Sequence, residues 1–80
     1  MEKITYSIIS IGKIIIFYNN NAVNLSIKVT GELIFQPPTF YVDLAVFGRV
    51  TNVSEDIKKQ IINFIENDSE KKIGTKIIFD

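Results

Sequence analysis

From Val23 the chain alternates. Val23, Leu25, Ile27, Val29, Leu33 and Phe35 hold the apolar positions, while Asn24, Ser26, Lys28, Thr30, Glu32 and Gln36 hold the polar ones, which is the period-two signature of a strand with one buried face. Gly31 falls on the apolar parity without breaking it, so it predicts a kink inside one strand. Pro37-Pro38 offers no amide donors and interrupts the ladder. Beyond it Phe40, Val42, Leu44 and Val46 alternate with Thr39, Tyr41, Asp43 and Ala45 as a following antiparallel strand. Upstream, the even positions Ile4, Tyr6, Ile8, Ile14, Ile16 and Tyr18 keep one parity across Gly12, and the odd positions Ile9, Ile11, Ile15 and Phe17 are apolar as well. The shared parity favours one long strand kinked at Gly12 over a hairpin at Ile11-Gly12, and its two greasy faces set it apart from a strand with one wet side. Asn19-Asn20-Asn21 tolerates left-handed backbone and reads as a hairpin loop.

One segment has helical rather than alternating periodicity. Across Ser54 to Asn67, Ile57, Ile61, Phe64 and Ile65 form a stripe, with Glu55, Asp56, Lys59, Asn63 and Glu66 opposite. Ser54 is a favoured N-cap, and Glu55 and Asp56 suit the positive end of the helix dipole. Asn67-Asp68-Ser69 is expected to break the helix, with Gly74 closing the connection to a last strand, Thr75 to Phe79. The order is β-β-β-α-β. It predicts a single α+β domain over residues 1–80, with two layers: a mostly antiparallel β-sheet, its long strands kinked at Gly12 and Gly31, and one amphipathic helix on one face. The last strand lies parallel to the third or beside the first.

A helix of about 13 residues covers a band roughly 10 Å wide, about half the width of four strands spaced at about 4.8 Å. If Tyr18 pairs with Ala22 across the asparagine turn, Tyr6, Ile8, Ile14, Ile16 and Tyr18 lie beside Lys28, Ser26 and Asn24, away from the helix. An apolar patch of that extent marks an interaction site. It is expected to be covered by a second copy in a homodimer, by a protein partner, or by curling of the long strands.

Composition narrows the chemistry. In 80 residues, 46% of them hydrophobic, nine basic side chains balance nine acidic ones and there is no Cys or His. The balance gives no general drive toward nucleic acid or an anionic membrane, and no run is long enough to span a bilayer. Lys58, Lys59, Lys71 and Lys72 are interleaved with acids and read as a solvated face. Without His or Cys the usual nucleophile–base dyads and zinc sites are excluded, and no phosphate-binding glycine loop is present. The reading is of a non-enzyme with no cofactor and no metal. Glu32 and Asp43, expected to face each other on the outer side of the sheet, form an acidic patch for a basic partner more readily than an acid–base pair. Arg49, the only arginine, and Tyr6, Tyr18 and Tyr41 complete the candidate partner-binding set with Ile14 and Ile16. Heavy use of Ile, Lys and Asn is natural for an AT-rich bacterial or phage gene, and the absence of Cys fits a cytoplasmic protein.

VTGELIF at Val29 to Phe35, FYVDL at Phe40 to Leu44, QIINFI within the helix and the closing KIIFD resemble the small predicted immunity proteins of bacterial polymorphic toxin systems, over about the last two-thirds of the chain. That resemblance implies a cytoplasmic protein that binds and neutralises a cognate toxin. A structural or homo-oligomerisation module of phage or bacterial origin is the alternative.

Overall fold

The computed structural model describes residues 2–80. Five strands and two helices follow in the order β1 (Lys3–Ser10), β2 (Lys13–Asn19), β3 (Asn24–Phe35), β4 (Pro38–Val42), α1 (Leu44–Gly48), α2 (Glu55–Ile73) and β5 (Lys76–Phe79). The strands form one sheet in chain order. Its first four members are antiparallel, and β5 returns parallel to β4, the first of the two expected placements.

The stretch expected as one strand kinked at Gly12 is a hairpin. Ile8 faces Ile14, Tyr6 faces Ile16 and Ile4 faces Tyr18, with Ile9 bulged out before the tight turn. Gly31 is the point where β3 changes partners. Residues up to Thr30 pair with β2 and those from Gly31 onward with β4, while the Gly31 amide donates to the Gly12 carbonyl at 3.0 Å.

The loop after β2 decides which face is inside. The Asn20 side chain accepts from the amides of Ala22 (2.9 Å) and Val23 (2.8 Å), an Asx arrangement that organises the turn. It sets Asn19 opposite Asn24 and Tyr18 opposite Leu25, where the sequence suggested Ala22. That slip of three residues, an odd number, reverses the face of the first hairpin. Ile14 and Ile16 therefore lie on the same side as Ile27 and Val29, both at 0% exposure. The expected apolar patch away from the helix does not exist. The sheet curls into a half-barrel instead of lying flat beneath α2, and these residues fill its interior with Phe40, Val42, Ile61, Ile65 and Ile77.

Two further expectations change. The strand predicted through Val46 stops at Val42, because the Asp43 carboxylate accepts from the Val46 amide at 3.2 Å and caps α1. That turn buries Phe47 edge-on against Phe79, with ring centroids 5.1 Å apart. Helix α2 begins as expected, with the Ser54 hydroxyl accepting from the Ile57 amide, but it runs on to Ile73 before Gly74 ends it at φ 74°. The predicted breakers are each bonded within the helix or to a strand. The Asn67 amide donates to the Asn63 carbonyl at 2.8 Å, Asp68 receives Tyr6, and the Ser69 hydroxyl accepts from the Ile77 amide at 2.9 Å.

The buried face of α2 is rotated from the predicted stripe. It is Lys58, Ile61, Ile65 and Ser69, whereas Phe64 is 41% exposed. Lys58, read as part of a solvated face, is buried, its ammonium donating at 2.7 Å to the Gly48 carbonyl at the end of α1, with Glu55 at 3.8 Å. A buried ammonium with such a partner ties the two helices together. Glu66, also placed on the wet face, accepts from the Phe79 amide at 2.9 Å.

Candidate functional site

The convex side of the sheet carries what the core does not use. Pairing across β3, β4 and β5 puts Glu32, Tyr41 and Ile78 in one row. The next row is drawn together by the backbone: the Asp43 amide donates to Thr30 and the Asp80 amide to Val42, both at 3.0 Å, and the Leu44 amide donates to Asp80 at 3.3 Å. Thr30, Gly31, Glu32, Tyr41, Asp43 and Asp80 thus line a shallow depression of about 300 Å3.

Three of the eight residues singled out from the sequence, Glu32, Tyr41 and Asp43, meet here. Glu32 and Asp43 do not oppose each other, however. The turn after β3 is only Gln36-Pro37, so Phe35 pairs with Pro38 and Glu32 with Tyr41. The face-to-face placement suggested for that pair is therefore not present. Asp80 and Thr30 were missed. Thr30 shares the polar parity of Glu32 and was legible in principle, but Asp80 arrives only because β5 lies beside β4.

The other five candidates are elsewhere. Ile14, Ile16 and Tyr18 are in the core, at 0%, 0% and 3% exposure, so they present no surface to a partner. The Tyr18 hydroxyl donates to Glu2 at 3.2 Å and accepts from the Asn20 amide at 3.1 Å, closing the end of the β2–β3 hairpin. Tyr6 is half-buried on β1, and its hydroxyl donates to Asp68 of α2 at 2.6 Å. Burial, then the bond to Asp68, then that carboxylate's charge hold the Tyr6 phenol neutral well above the ordinary tyrosine range. Arg49 is exposed at the C-cap of α1, apart from the depression.

Chemically, the depression joins an exposed aromatic ring to three carboxylates, and no Lys or Arg lines it. Such a surface is chemically suited to a cation: a guanidinium or ammonium can lie over the Tyr41 ring while its donors reach the carboxylates. Among the described residues, no group of three or more His, Cys, Asp or Glu is placed to hold a metal ion, and no helix is long and apolar enough to cross a membrane. No known protein family, characterised protein or solved structure matches the chain.

Proposed function

We propose that this chain is a small non-catalytic protein-binding domain, an immunity-type inhibitor of a protein partner in the bacterial cytoplasm, and that the depression around Tyr41 receives a basic segment of that partner. The observation that supports this reading most is the gathering of Glu32, Tyr41, Asp43 and Asp80 on one exposed surface without a neutralising cation in its lining. The resemblance of Val29 to Phe35 and of the closing residues to immunity proteins points the same way. An acidic recognition face steers a basic partner and speeds encounter, and its effect weakens as salt rises.

The partner to test is the product of any toxin-like reading frame found beside this gene. Calorimetry should show binding that weakens with salt, and co-expression should relieve the growth defect that this product causes. Glu32→Lys combined with Tyr41→Ala should weaken binding by roughly tenfold or more, since it reverses one charge and removes the ring. Asp43→Ser is the informative companion, because serine keeps the cap on α1 while removing the charge. Lack of binding and protection, or binding indifferent to these changes, would contradict the proposal.

A further inference from the structure

The two edges of the sheet are finished differently. On β5 the outward amides of Ile77 and Phe79 are taken up by the Ser69 hydroxyl and the Glu66 carboxylate, each at 2.9 Å, so side chains of α2 close that edge. On β1 the ladder can be followed from the other side of β2. Bonds from Gly31 to Gly12 and from Asn20 to Val23 mark hydrogen-bonded pairs between β2 and β3, so the alternation turns the backbone groups of Ile14, Ile16 and Tyr18 toward β3 and those of Ile15, Phe17 and Asn19 toward β1. Their partners on β1 are Ser7, Thr5 and Lys3. The N–H and C=O groups of Ile4, Tyr6 and Ile8 are therefore left facing outward, and among the described residues no loop or side chain bonds to them.

Between Lys3 and the bulge at Ile9, this edge lacks the devices that keep strands apart. Ile4 to Ile8, ITYSI, contains no charge, proline or glycine. Above it stands an apolar side chain. Phe64 lies four residues before Asp68, the residue that receives the Tyr6 hydroxyl, so it sits on the β1 side of α2, where it is 41% exposed.

We propose that β1 pairs antiparallel with β1 of a second copy about a two-fold axis at Tyr6, joining two five-stranded sheets into one. In that register every outward-facing residue meets another: Tyr6 meets its own counterpart, and Ile4 meets Ile8 of the partner subunit. Three hydrogen-bonded pairs result. On the outer face Thr5 opposes Ser7 of the partner subunit, a favourable hydroxyl pair, and Lys3 opposes Ile9 of the partner subunit, so no like charges meet. The match is self-complementary, as a two-fold interface requires, and that commits the edge to a second copy rather than to an unrelated strand. It lies apart from the Tyr41 depression, so it stands or falls separately from the proposed function.

Charge exchange on the outer face tests it. Thr5 and Ser7 are both exposed in the single chain, so neither substitution disturbs the core. Sedimentation over a micromolar concentration series should show a wild-type dimer. Thr5→Lys with Ser7→Lys sets lysine against lysine twice across the axis and should weaken association roughly tenfold, whereas Thr5→Lys with Ser7→Glu sets lysine against glutamate and should retain it. Circular dichroism should be the same for all three proteins. A wild-type mass of one chain throughout, a dimer that neither double variant weakens, or one that both weaken equally would overturn the proposal.

Discussion

Ile16→Lys is expected to leave the chain largely unfolded at room temperature. Ile16 is fully buried between Tyr6 on β1 and Ile27 on β3, among the apolar side chains of the core. Burying an unpaired ion costs several kcal/mol even after relaxation, while a domain of 80 residues has about 4 to 12 kcal/mol of stability in all. Loss of the native circular dichroism and rapid proteolysis should follow. Phe17→Lys, one position on, is the control. Phe17 lies on the convex face, 44% exposed, so its replacement should shift the denaturation midpoint little. A folded Ile16→Lys protein with a wild-type midpoint would show that Ile16 faces solvent and that the half-barrel interior has been wrongly assigned.

Gly31→Ala is the second large effect, and the reason is contact rather than backbone conformation. Gly31 does not have a positive φ, a feature confined to Gly74 among the described residues, so alanine could adopt its backbone angles. The space is missing instead. An added Cβ would overlap the Phe40 ring, with Cζ at 2.9 Å, and the carbonyl oxygen of Tyr41. The ring is fully buried and the carbonyl belongs to the paired strand, so neither yields cheaply. Overpacking of this kind costs about 1 to 3 kcal/mol, which outweighs the roughly 0.4 to 1 kcal/mol that alanine gains by restricting the unfolded chain. Gly12→Ala gives the contrast. Its nearest neighbour would be the Gly31 carbonyl at 3.8 Å, an ordinary contact, and it should be neutral or slightly stabilising. Urea denaturation of the two variants side by side checks the argument, and equal midpoints would contradict it.

Much of the α+β arrangement was legible because its signals are local. The alternation of β3, the Ser54 cap and the acidic first turn of α2 each depend on neighbouring residues, and each stands in the structure. What misled was parity. A hairpin in which Ile8 meets Ile14 and Tyr6 meets Ile16 pairs even residues with even ones, so parity preserved across Gly12 is as much the mark of a hairpin as of a kinked strand. At the asparagine loop the opposite happened. Asn20 holds two amides and so fixes an odd offset from the expected register, and one loop's hydrogen bonding turned a presumed surface patch into the core.

The helix shows a different limit. Asn67, Asp68 and Ser69 favour turns when nothing else claims them, but here the bonds of Asp68 and Ser69 run to other elements, to Tyr6 in β1, far away in sequence, and to Ile77 in β5. Those contacts also rotate α2, drawing Lys58 inward and leaving Phe64 at the rim. In the candidate site, Glu32, Tyr41 and Asp43 were recognisable as polar-face residues of adjacent strands. Their true spacing depended on the short Gln36-Pro37 turn, and Asp80 depended on the placement of β5.

Everything inside the half-barrel rests on the β2–β3 register. Nuclear Overhauser contacts between α-protons report it directly, since these are strongest in the non-hydrogen-bonded pairs of an antiparallel ladder. With Gly31 bonded to Gly12, the structure places those pairs at Ile15 with Lys28 and Phe17 with Ser26. Cross-peaks at both are the expected result. Cross-peaks joining Ile16 to Asn24 instead would place the apolar residues of the first hairpin on the outside and contradict the account.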